Sequence, residues 1–97
     1  MAKGYWIAFY RSISDPNALA EYAKAAGPAI QAGGGRFVAR GGTAKTFENG
    51  VNQRVVMIEF ESVDKAVATY ESAAYQSAVK LLKGTADRDI RIVEGVA

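Results

Sequence analysis

Apolar and polar positions fall into stretches of two different periods along the chain. From Gly4 to Tyr10 the run Gly-Tyr-Trp-Ile-Ala-Phe-Tyr is rich in aromatic and β-branched residues, which predicts a strand. Asp15-Pro16 then supplies an N-cap acceptor and a helix-starting proline. Leu19, Tyr22, Ala23, Ala26 and Ile30 recur at helical spacing, so one apolar stripe runs down the helix that follows. Gly27-Pro28 is expected to kink it, because proline removes a backbone donor and crowds the preceding turn. Gly33-Gly34-Gly35 ends it.

The second half repeats the alternation. A strand is predicted from about Arg36 to Arg40, open to resuming after Gly41-Gly42 toward Glu48, where Glu48-Asn49-Gly50 is a hairpin-turn signal. Another runs from about Arg54 to Phe60. Ser62 caps a helix whose inner stripe is Val63, Ala66, Val67 and Tyr70, and a further helical piece carries Tyr75, Ala78, Leu81 and Leu82. Gly84 closes it, and Asp89 to Glu94 makes the last strand.

The order β-α-β-β-α-β with right-handed crossovers predicts one α+β domain over residues 1–97. Its sheet is four-stranded, antiparallel and ordered 4-1-3-2, with both helices on one face: the ferredoxin-like arrangement. The expected central strands, one and three, are nearly continuously apolar, whereas the edges carry Arg36 and Arg40, or Asp89, Arg91 and Glu94.

Neither sheet face reads as polar. Tyr5, Ile7 and Phe9 oppose Trp6, Ala8 and Tyr10 on strand one, and Val55, Met57 and Glu59 oppose Val56, Ile58 and Phe60 on strand three. The face away from the helices would expose a patch above the few hundred Å² (order of magnitude) usual for monomers. The expected cover is the same face of a second copy, a homodimer; a monomer with a tyrosine-rich face or a loop laid over it is the alternative.

Composition mainly excludes. With no cysteine and no histidine, thiol nucleophiles, disulfides, histidine-ligated haem, histidine-containing zinc sites and Ser-His-Asp or Cys-His catalysis are out; no metal and no cofactor are expected. The net charge of +2 is a small excess scattered among acids, not a nucleic-acid stripe. The fold order matches RNA-recognition modules, but strand three lacks their aromatic platform, and no phosphate-binding loop motif exists. No window approaches the roughly 18 apolar residues of a membrane span, and Met1-Ala2-Lys3-Gly4 leads into a strand pattern without a signal-peptide core, so a cytoplasmic location without membrane partners is expected.

Candidate chemistry centres on Arg40 and Glu59. Arg36, Val38 and Arg40 alternate onto one strand face; if Phe37 and Ala39 meet the helices, Arg40 looks into the space between sheets, where its guanidinium could hold a carboxylate or enolate. The competing reading pairs Arg40 with Glu59 or Glu48 to close the barrel end. Glu59 interrupts an apolar strand and is the candidate general base, its pKa raised unless an arginine partners it; Tyr5, Tyr10 or Tyr75 would donate the proton. Glu94 is a parallel case near a sheet edge. Ser72 reads as a cap, not a nucleophile.

Several segments together resemble the DUF1330 family of the dimeric α+β barrel superfamily: Lys3-Gly4-Tyr5-Trp6-Ile7-Ala8, Asp15-Pro16, Gly34-Gly35-Arg36-Phe37, Ala39-Arg40-Gly41-Gly42, Glu48, Arg54, Ile58-Glu59-Phe60, Ser72, Tyr75-Gln76 and Val93-Glu94-Gly95-Val96. The resemblance implies two ferredoxin-like subunits pairing sheet to sheet and no settled activity. Ala73-Ala74 replace a frequent Pro-Glu, and Leu82 stands where an arginine is common. Tyr5, Tyr10, Arg54, Tyr75 and Glu94 are the expected ligand contacts, with Glu59 and Arg40 as catalytic groups. Two functions follow: cofactor-free isomerase or monooxygenase chemistry on a small, largely apolar metabolite, aromatic or carboxylate-bearing, in an inter-sheet pocket, or a non-catalytic small-molecule-binding or structural dimer.

Overall fold

The computed structural model describes residues 2–96, which form β1 (Gly4–Ile13), α1 (Pro16–Ala32), β2 (Arg36–Gly41), β3 (Val55–Phe60), α2 (Val63–Glu71), α3 (Ala73–Lys80) and β4 (Ala86–Glu94). The strands make one antiparallel sheet in the order β2-β3-β1-β4, the order predicted. Local chemistry sets the helix ends. The Asp15 carboxylate accepts from the amides of Asn17 at 3.0 Å and Ala18 at 3.3 Å, and Ser62 accepts from Lys65. At the other end of α1, Gly34 takes a φ of +95°, while Gly35 N–H reaches the Ile30 carbonyl and Gly34 N–H that of Gln31. That pattern closes a helix on a left-handed residue, which glycine adopts without strain. Gly27-Pro28 does not interrupt α1, which runs through both.

Ser72 divides the second helical region: it ends α2 and, through its hydroxyl, caps α3 at the Tyr75 amide over 3.2 Å. Within α2 the buried positions are Ala66 and Thr69, and the expected Val67 faces solvent.

Antiparallel partners project to the same face, so the register sorts every strand residue. Trp6, Ala8 and Tyr10 lie with Val56, Ile58 and Phe60 on the buried face. Against them pack Tyr22, Ala26 and Ile30 of α1, Ala66 of α2, and Tyr75 and Ala78 of α3. Trp6 is the hub: its ring meets Tyr75 edge-on with centroids 4.7 Å apart, meets Tyr70 at 5.3 Å, and stacks on Phe60 at 6.2 Å. Fully burying each such side chain is worth about 1.5–3 kcal/mol.

The strands differ from the sequence prediction in three respects. β1 runs on to Ile13 past an irregularity between Tyr10 and Ser12, held by pairing with β4, which itself begins at Ala86. β2 does not resume after Gly41. Residues 42–54 form a loop containing a turn at Glu48-Asn49-Gly50, where Gly50 N–H bonds the Phe47 carbonyl at 2.9 Å. Finally, the β2–β3 register shifts between Phe37 and Ala39, a bulge that the alternation of the sequence does not reveal.

Candidate functional site: a cleft beneath the first helix

The bulge decides which arginine faces where. Arg36 pairs with Glu59 and therefore lies on the open face, whereas beyond Val38 the parity flips: Ala39 pairs with Met57, and Arg40 pairs with Val56 on the helix side. The expected placement of Arg40 in the space between sheets is thus corrected. Its guanidinium lies over the Phe37 ring, 4.5 Å from the centroid, and borders a cleft under α1.

Ala8, Val56 and Phe37 of the sheet and Leu19, Ala26 and Ile30 of α1 give the cleft apolar walls, with Tyr10, Tyr22, Arg40 and Arg54 as its polar lining. The free space is about 40 Å³, room for roughly three waters. Gly27 also lines it, and a Cβ there would meet nothing within 4 Å. Arg54 reaches the cleft from the position before β3, anchored by its own carbonyl, which accepts from Tyr10 N–H at 3.0 Å. Its side-chain Nε is buried and has no hydrogen-bond partner.

Behind the cleft, Tyr22 and Tyr75 share a hydroxyl–hydroxyl bond of 2.7 Å, and Arg88 Nη1 donates to both, at 3.0 Å and 3.3 Å. Burial raises both tyrosine pKa values, and the neighbouring Arg88 charge offsets this only in part. Tyr75, expected to touch ligand, is completely buried and reaches the cleft only through Tyr22. The sequence marks Tyr22 only as a stripe residue and gives Arg88 no role, because a contact spanning 66 positions has no local signal.

Glu59 sits on the open face in a network of its own. Arg36 Nη2 donates to Oε1 at 3.1 Å, Tyr5 donates to Oε2 at 3.2 Å, and Lys3 Nζ lies 3.9 Å away. The Arg36 hydrogen bond holds the Glu59 carboxyl below its ordinary value, and the bond to Glu59 in turn raises the Tyr5 hydroxyl. The partner of Glu59 is Arg36 and not the expected Arg40, which among the described residues forms no ion pair with Glu48 either. Glu94 is exposed opposite Gly4, in a shallow groove with Ser62 and Asp64. The structure therefore gathers Tyr10, Arg40 and Arg54 at one cleft, joins Tyr5 to Glu59 on the other face, and leaves Glu94 apart from both. Among the described residues no cluster of acids suited to a metal ion occurs, and no helix is long and apolar enough to cross a membrane.

The open face has an apolar middle of Ile7, Phe9, Val55, Met57 and Val93, none of it covered by a helix. The Glu59 network bounds one end. At the other, Arg11 bonds Asp87 at 3.2 Å and Asp89 at 3.4 Å, and Arg91 bonds Asp89 at 2.8 Å.

Solved structures with this fold include RPA0582 from Rhodopseudomonas palustris, a protein of unknown function, with a TM-score of 0.72 and 19% identity over 99% of this chain and 84% of that one. A dimeric ferredoxin-like protein of unknown function from Thermobifida fusca has a TM-score of 0.66 and 16% identity, covering 99% and 92% of the two chains. SnoaB, a cofactor-independent oxygenase from Streptomyces nogalater, has a TM-score of 0.61 and 8% identity, covering 99% and 93%. No match was found among curated proteins. The family described as "Domain of unknown function (DUF1330)" matches residues 3–96, and the chain belongs to it.

Proposed function

We propose that this chain is a small-molecule-binding homodimer: two copies pair through their open sheet faces, and each protomer holds a small, largely apolar metabolite in the cleft beneath α1. The observation that carries the binding role is the cleft itself, free space walled by Ala8, Leu19, Ile30 and Val56, whose polar lining includes Arg40 and Arg54, two guanidinium groups with no acidic partner among the described residues. Binding sites of small ligands have this composition, apolar walls with a few placed polar groups. The pairing is supported by the uncovered Ile7, Phe9 and Met57 surface, whose charged ends carry both signs and can face their own copy across a two-fold axis. The dimeric ferredoxin-like protein of the same fold supports it as well. Under this reading Glu59 belongs to the pairing face and not to a general base, because its carboxylate is already held by Arg36 and Tyr5.

One feature favours a second reading, cofactor-free isomerase or oxygenase chemistry on the bound molecule: Tyr22 lines the cleft and is bonded to both Tyr75 and Arg88, a chain of hydroxyls and a fixed cation able to hold a proton near a ligand. The likeness in fold to a cofactor-independent oxygenase is compatible with it.

Ligand-observed NMR with a library of small metabolites tests the binding role, using wild type and Ala23→Trp, whose added ring fills the cleft from an exposed position of α1. Compounds that bind wild type and not the variant are expected. Binding that ignores Ala23→Trp, or none at all, contradicts the assignment.

A further inference from the structure

We infer that the molecule held beneath α1 is a short-chain carboxylate, its head between Arg40 and Arg54 and its tail on the apolar floor; this rests on the cleft being the binding site proposed above. Among the described residues every other arginine has a partner. Arg36 is bonded to Glu59, Arg11 to Asp87 and Asp89, Arg91 to Asp89, and Arg88 to two tyrosine hydroxyls. Among the described residues, Arg40 and Arg54 have no acidic partner, and both line the same cleft.

A bare guanidinium in water needs no explanation, but Arg54 is partly buried at the cleft, with its Nε closed off from solvent, and a charge held there without an opposite one is costly. A carboxylate entering from the mouth supplies the opposite charge, with the planar geometry that a guanidinium fork matches. Phe37 fixes the orientation of the second guanidinium, that of Arg40, by lying under it at 4.5 Å. The ring stacks on the face of the cation and leaves its N–H edge free to donate.

The size and chemistry of the floor limit the rest of the molecule. About 40 Å³ of free space accepts roughly three non-hydrogen atoms of an apolar tail against Ala8, Ala26 and Val56. The cleft is lined by α1 from Leu19 to Ile30, not by its N-terminal turn, so the converging backbone N–H groups that favour a phosphate are missing.

The test is a set of ¹⁵N NMR titrations of the 97-residue chain with butyrate, butyramide and inorganic phosphate, following the amides of Ala23, Ala26 and Gly27. Butyrate is expected to shift them saturably, with butyramide binding at least about tenfold more weakly because it lacks the charge. Arg54→Met should weaken butyrate by about tenfold or more, Arg54→Lys by less, and Arg40→Met by a few-fold. Equal binding of acid and amide would overturn the carboxylate assignment while leaving the cleft as a site, and tighter binding of phosphate than of butyrate would overturn it too. If no probe moves these amides, the inference falls; the cleft reading falls with it only if the library compounds also fail to distinguish Ala23→Trp. Should Arg54→Met not fold, the acid and amide comparison on wild type decides alone.

Discussion

Arg36 donates to Glu59 across 3.1 Å from the neighbouring strand, on the face of the sheet that no helix covers. This bond, with the one from Tyr5 and the nearby charge of Lys3, depresses the Glu59 pKa from its ordinary 4.5. A carboxyl whose folded pKa lies below its unfolded value contributes stability that is complete above the unfolded value and lost as pH falls through the folded one. Thermal unfolding scans below about pH 4.5 should therefore show wild type losing melting temperature on acidification. Glu59→Gln should flatten that dependence. Asp89, held low by Arg91, contributes a residual slope of the same sign.

The Tyr22–Tyr75 pair acts at the opposite end of the scale. Burial raises both hydroxyls above the ordinary value of 10, so folding favours their neutral forms, and stability falls as pH climbs past 10. Alkaline titration followed by tyrosinate absorbance should show these two tyrosines ionising only as the chain unfolds. Tyr75→Phe removes the 2.7 Å bond and one acceptor for Arg88 and should cost about 1–2 kcal/mol in denaturant melts, with the fold kept.

Two glycines should respond to alanine in opposite directions. At Gly27, inside α1, a Cβ meets nothing within 4 Å, so Gly27→Ala should stabilise the protein by about 0.5–1 kcal/mol through helix propensity. At Gly4 a Cβ would lie 2.6 Å from the Ser62 carbonyl oxygen, part of a backbone that α2 holds in place, and Gly4→Ala should destabilise by about 1–3 kcal/mol. Chemical denaturation of the two variants checks both signs.

Much of the framework was legible from local pattern. Asp15, Ser62 and the glycines after Ala32 announce helix ends through chemistry that acts over a few residues, and the apolar character of β1 and β3 puts them at the centre of the sheet. What escaped was parity and long-range contact. Four residues separate Arg36 from Arg40, a spacing that puts both on one face of a regular strand, and one extra residue at Val38 undoes it. That single bulge moved Arg40 to the cleft, whereas Arg36, which precedes it, stands opposite Glu59 with or without the extra residue. Tyr10 and Arg54 were read as ligand contacts on residue type, but their meeting under α1 depends on which face β1 turns to the helices, a choice that two nearly equal apolar faces leave open.

Pairing through the open face is tested most directly by the mass of the protein in solution, measured by sedimentation equilibrium in the tens-of-micromolar range. Wild type should sediment at twice the 10.3 kDa of the chain, and Met57→Glu, which sets a charge in the apolar middle of the face, should sediment at 10.3 kDa while keeping its helical circular dichroism. A wild-type protein that sediments as a 10.3 kDa monomer, or a Met57→Glu variant that remains paired, would contradict the assignment of this face to a second copy.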